Sequence, residues 1–114
     1  MSTNISNYKM HVGDKGTTFQ AIVKEELTDL TLAIVDLTNT DEQFIEIKRP
    51  GHDSDIFPAT IVGLPSTGLL QYVTPVNTDS YLDQMGQIKW RAIVRVTATQ
   101  GYFKGEWIVD KVNP

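Results

Sequence analysis

Apolar and polar positions alternate most regularly over residues 86–112, and this stretch predicts two long strands joined by a turn at Thr99-Gln100-Gly101. In the first strand Ile88, Trp90, Ala92, Val94 and Val96 face one way, and Lys89, Arg91, Arg95 and Thr97 the other. A period of two is the mark of a half-buried strand. Ile93 stands on the polar side, so that face is not wholly in water. The returning run, 102–112, is rich in aromatic and β-branched residues and carries Trp107, Ile108, Val109 and Val112. Both tryptophans of the chain fall in this hairpin, and Phe19, Trp90 and Trp107 are the predicted aromatic core. Each buried ring withdraws roughly 150–250 Å² from water, a gain of several kcal/mol before entropy at about 25 cal/mol per Å².

The rest of the chain reads as shorter strands cut by turn residues. Residues 1–7 are expected to be loose, with one domain over 8–114. Tyr8 begins a short edge strand to Val12, which Gly13-Asp14-Lys15-Gly16 ends. Alternation resumes over 17–24, with Phe19, Ala21 and Val23 on one face. Segment 25–35 fits a helical face at Leu27, Leu30, Ile34 and Leu37, yet its β-branched residues and repeated Asp-Leu-Thr favour a turn and a short strand. Residues 43–49 form a clearer strand, with Ile45 and Ile47 opposite Phe44, stopped by Pro50-Gly51. Over 56–62, Pro58 removes a ladder donor and requires an edge or a bulge. A strand is expected over 69–74, and a single helical turn over 77–84, ended by Gly86. About seven strands with turn signals at short intervals predict an all-β, antiparallel sandwich, and no strand–helix alternation suggests a parallel sheet.

Composition narrows the function classes. The 114 residues suffice for one core, and 40% hydrophobic with 21% charged residues is an ordinary globular balance. A net charge of −4 opposes general nucleic-acid binding, which needs excess Lys and Arg to neutralise phosphate. No apolar run approaches the ~18–20 residues of a membrane-spanning helix, and the polar N-terminus lacks the pattern of a secretory signal or a myristoylation site. Without cysteine there is no disulfide, thiolate metal site or thiol nucleophile.

Candidate chemistry is sparse. His11 and His52 have no second ligand at metal spacing, and His52-Asp53-Ser54-Asp55 is more simply a solvated turn than a cation site. Glu25-Glu26 and Asp41-Glu42 are adjacent, so on strands each pair points to opposite faces and cannot serve as acid and base together. No catalytic residues, cofactor or metal are predicted. Lys89, Arg91 and Arg95 form a basic line that either meets an acidic partner or phosphate, or pairs across to Glu106 or Asp110 as a solvated face. Ile93 and Ile108, placed on that same side, keep a protein contact open. The candidate partner contacts are Tyr8, Lys89, Arg91, Ile93, Arg95 and Ile108. The candidate loop contacts are His52, Asp53, Asp55 and Phe57.

The order of motifs carries a resemblance. Gly13-Asp14-Lys15-Gly16, Val35-Asp36-Leu37-Thr38, Ile47-Lys48-Arg49-Pro50-Gly51, Gly68-Leu69-Leu70-Gln71-Tyr72 and Gly105-Glu106-Trp107 follow one another along nearly the whole chain. In that order the chain resembles the small immunoglobulin-like domains of tailed-phage virion proteins, similar to the N-terminal domain of the baseplate upper protein. It departs from them in a longer 25–34 segment and in Asn39 after Asp-Leu-Thr. The resemblance implies a non-enzymatic virion structural protein of baseplate, tail or neck, made in the host cytoplasm. Its partners would be other virion proteins and copies of itself, with no membrane or nucleic acid. A capsid decoration or fibre-anchoring protein is the nearest alternative. A module reading host-surface carbohydrate through 52–55 and 65–68 is a rival of another class.

Overall fold

The computed structural model describes residues 9–26, 31–76, 81–96 and 101–114. Among them are eleven strands: β1 Met10–His11, β2 Thr18–Ile22, β3 Lys24–Glu26, β4 Leu32–Ile34, β5 Thr40–Lys48, β6 Asp55–Pro58, β7 Thr60–Ile61, β8 Leu69–Val73, β9 Gly86–Val96, β10 Gly101–Lys104 and β11 Ile108–Asn113. Two 3-10 turns, Leu37–Asn39 and Pro65–Thr67, are the only helical pieces described. The fold is all-β.

A six-stranded sheet runs β1-β11-β9-β5-β6, with β10 also on β9. A three-stranded sheet runs β2-β8-β7, and β3 pairs with β4 as a separate ribbon. Every pairing is antiparallel except β1 with β11, where Met10 aligns with Val112 in parallel. That one edge corrects the expectation of a wholly antiparallel fold. It arises because the N-terminal segment returns beside the last strand rather than turning back on its own neighbour.

The strands exceed the seven expected because single predicted runs are divided. Residues 55–61 begin in one sheet and finish in the other: β6 lies on β5, Ala59 N–H still donates to the Gln43 carbonyl at 3.0 Å, and β7 lies on β8. Pro58 sits at this transfer on an edge strand, where its missing donor costs no ladder bond. Residues 24–26 and 32–34 pair as the β3–β4 ribbon, so a short strand does stand at 32–34. Residues 1–8, 27–30, 77–80 and 97–100 lie outside the described set, and with them the segment 1–7, the Tyr8 contact and most of the Thr99-Gln100-Gly101 turn; 81–85 hold no helix.

The core lies where the three-stranded sheet covers one face of the large one. Phe19 and Ala21 of β2 and Leu70 of β8 pack with Ile45 and Ile47 of β5 and Ile88, Trp90, Ala92 and Val94 of β9. Trp90 is 2% exposed. Its ring meets Phe19 edge-on with centroids 5.1 Å apart, and its indole N–H donates to the Gln20 carbonyl at 3.0 Å. The polar end of the ring is therefore satisfied inside the core, as a buried indole requires.

A one-residue bulge corrects two side-chain placements in the last ribbon. Lys104 pairs with Ile93 and Gly105 N–H donates to the Ala92 carbonyl at 2.8 Å, whereas Ile108 pairs with Trp90. Glu106 and Trp107 thus stand together opposite Arg91, two residues against one. The extra residue shifts the alternation by one, exchanging inward and outward positions beyond it. Ile108, expected on the polar side, is buried in the core at 7% exposure. Trp107, expected in the core, is carried to the outer face and is only half-buried.

Candidate interaction surface

The outer face of the large sheet collects the side chains that β5, β9 and β10 turn away from the core. On β9 these are Lys89, Arg91, Ile93 and Arg95; their register partners on β5 are Lys48, Glu46, Phe44 and Glu42. Tyr102 and Lys104 of β10 align with Arg95 and Ile93, and Val109 of β11 with Lys89. Arg91 and Arg95 of the basic line are therefore matched by carboxylates of β5, while Lys89 stands opposite Lys48, and Glu106 and Asp110 take no part in these ion pairs. Arg91 Nε donates to Glu46 Oε1 at 2.7 Å, and both side chains are mostly buried. Arg95 Nη1 lies 3.4 Å from Asp41 Oδ2 and 3.9 Å from Glu42 Oε2.

Trp107 closes one end of this array. Its ring lies 4.2 Å from the Arg91 guanidinium carbon and 4.6 Å from Lys89 Nζ. Cations over an indole face are attracted by its quadrupole, which gives the displaced tryptophan a role outside the core. At the other end Tyr102 donates its hydroxyl to Glu42 Oε2 at 2.9 Å. That bond, with the Glu42 charge, raises the phenol's pKa.

Between the two ends the face is apolar. Phe44, Ile56, Ile93, Tyr102 and Lys104 line an open groove of about 340 Å³. Ile93 forms its floor and is 4% exposed, although it belongs to the outward side of β9. Ile56 and Tyr102 on the rim are 58% and 59% exposed, and Val109 is 55% exposed. Phe44, Glu46 and Tyr102 were not among the candidate contacts. Phe44 could have been found from its position opposite Ile45 and Ile47, which leaves a large ring facing outward. Glu46 carried no such signal, because its partner lies across a non-local ladder.

The loop after Pro50-Gly51 forms a second cluster. Asp55 Oδ2 accepts the Tyr81 hydroxyl at 2.6 Å and lies 3.6 Å from Arg49 Nε. His52 Nε2 lies 2.9 Å from Asp83 Oδ1, which is 3.6 Å from Arg49 Nη1. Arg49 also donates to the Tyr81 carbonyl at 2.7 Å and stacks over the Tyr81 ring at 4.2 Å. Lys48 Nζ donates to the His52 carbonyl, tying the turn to β5. Burial, then the bond to Asp55, pushes the Tyr81 phenol far up, and burial with the nearby Asp55 charge raises Tyr72. Phe57 stacks on Tyr72 at 4.3 Å with the rings 3° from parallel, and meets Tyr81 edge-on at 5.5 Å.

This second cluster consumes its own functional groups. Asp55 and Asp83 are each engaged by internal partners, while Asp53 is exposed and stands apart from the network. No group of three His, Cys, Asp or Glu side chains able to hold a metal stands together among the described residues. With the second cluster's groups engaged internally, the outer sheet face is the better candidate site. Comparison of the chain with protein-family models, with curated proteins and with solved structures finds no match.

Proposed function

We propose that this chain is a non-enzymatic structural protein of a tailed-phage particle, an immunoglobulin-like β-sandwich that assembles by protein–protein contact. The observation that carries the reading is the outer face of the large sheet. There an apolar groove with exposed Ile56 and Tyr102 at its rim lies between ion pairs already neutralised within the chain. Apolar centres with polar rims are the anatomy of protein interfaces. The pairing of Arg91 and Arg95 with carboxylates of β5 lowers the desolvation cost of covering those two charges. The order of turn motifs along the chain supports a place in baseplate, tail or neck, with capsid decoration or fibre anchoring as the alternative positions.

The carbohydrate reading has less support. Sugar stacking needs an open aromatic face, and Phe57, Tyr72 and Tyr81 spend theirs on one another and on Arg49. The deciding experiment is fractionation of phage particles from the source strain on a density gradient, with this chain followed by mass spectrometry. Co-banding with intact particles at stoichiometric abundance is expected. A chain confined to the particle-free fraction overturns the proposal.

A further inference from the structure

Strand β10 ends the sheet on one side, and its free edge has a specific pattern. Gly105 N–H bonds to the Ala92 carbonyl, so along this ribbon Gly105, Phe103 and Gly101 turn their main-chain groups toward β9. Alternation in an antiparallel pair then points the N–H and C=O of Tyr102 and Lys104 away from β9, off the open edge. The side chains of these two residues lie on the outer face, Tyr102 59% exposed and Lys104 exposed. Lys104 makes no ion pair among the described residues. Such an edge, whose outward main-chain groups have no partner among the described residues, is a template for another strand.

We infer that β10 is a self-pairing edge: two copies of this chain join β10 to β10, antiparallel, about a twofold axis at Phe103. In that register Tyr102 of one copy faces Lys104 of the other. Each such pair exchanges two main-chain hydrogen bonds, and the axis repeats it, so all outward groups of Tyr102 and Lys104 are satisfied. The side chains match as well as the backbone. The unpaired Lys104 ammonium of one copy comes beside the Tyr102 ring of the other, whose hydroxyl is bonded to Glu42 with Asp41 next to it. A cation thus meets an aromatic face and two carboxylates, twice per dimer. The two large sheets become one, and the two apolar grooves, each lined by its own Tyr102 and Lys104, adjoin across the axis. The inference rests on the assembly reading above, and gives it a first partner and an edge.

The test is sedimentation equilibrium of the full chain across micromolar to millimolar concentration, at low and high salt. The expected result is a rise from 12.8 kDa toward twice that mass, weakened by salt. Lys104→Pro removes only an outward N–H, so the fold keeps its circular dichroism while the mass stays monomeric. Should that variant not fold, Lys104→Glu, which sets a carboxylate against the partner's Glu42 and Asp41, must also hold the chain monomeric. A wild-type chain that remains at 12.8 kDa throughout, or a folded variant that dimerises as well as wild type, overturns the inference. A monomer that still bands with particles leaves the assembly reading standing, and a dimer absent from particles does the reverse.

Discussion

The two tryptophans offer a direct measure of the bulge at Glu106-Trp107. Replacing Trp90 by Ala removes a ring that is 2% exposed, its edge contact with Phe19 and its hydrogen bond to Gln20. Large aromatic truncations in cores cost about 3–5 kcal/mol. At 0.05–0.15 kcal/mol per residue a domain this long has a total stability of about 6–17 kcal/mol, so the loss is a large share of the whole. Replacing Trp107 by Ala removes a half-buried ring whose specific contacts are Lys89 and Arg91. At about 0.5–1 kcal/mol for each exposed cation–π contact, the cost is about 1–2 kcal/mol. Urea titrations followed by far-ultraviolet circular dichroism give both values independently of indole emission. Trp90→Phe and Trp107→Phe then isolate each indole. The remaining Trp107 should emit at longer wavelength and be readily quenched by acrylamide, and the remaining Trp90 should resist it. Equal costs for the two alanine variants, or two equally shielded indoles, would refute the inverted phase beyond Gly105.

The Arg91–Glu46 pair, shielded from solvent on an outer sheet face, should show a coupling of about 1–3 kcal/mol in a cycle of Arg91→Met and Glu46→Gln. A value near zero would make it an ordinary surface pair. Gly68 adopts φ +69, and a Cβ there would come within 2.7 Å of Ile34 Cγ2 and 3.0 Å of the Val35 carbonyl oxygen. Gly68→Ala should therefore lower stability in urea by about 2 kcal/mol or more, since left-handed backbone costs 1–2 kcal/mol before crowding; a neutral effect would refute the close approach. The raised pKa of Tyr81 means the folded state holds that proton more tightly than the unfolded one. The resulting stability is complete below the unfolded value of about 10 and is lost as pH rises above it. Tyr81→Phe should thus cost about 1.5–3 kcal/mol at neutral pH, where the bond to a carboxylate is lost. The same variant should flatten the alkaline fall in stability, measured by urea titration between neutral pH and pH near 11; an unchanged slope would dissociate Tyr81 from it.

Phe19, Trp90, Ile45 and Ile47 were legible because each stands in an alternating run whose phase is not interrupted. Ile93 was legible as an exception, and it lies buried beneath a groove on the outer side. Ile108 and Trp107 were misread because no residue type marks this bulge. Gly105 reads equally well as a hairpin glycine, and the extra residue is visible only against the partner strand. The loop contacts His52, Asp55 and Phe57 were recognised as a polar turn beside an aromatic. Their engagement by Asp83, Tyr81 and Tyr72 depends on segments tens of residues away.

By itself the sequence determined the all-β class, most strand positions and the inward set of β9, because alternation and turn residues act over a few neighbours along the chain. Tertiary structure decided which strands pair, the parallel edge at β1, the transfer of 55–61 between sheets, and the choice of Glu42 and Glu46 as partners for the basic line. Those outcomes turn on register between distant segments. A shift of one residue there reverses every face, and no local pattern encodes it.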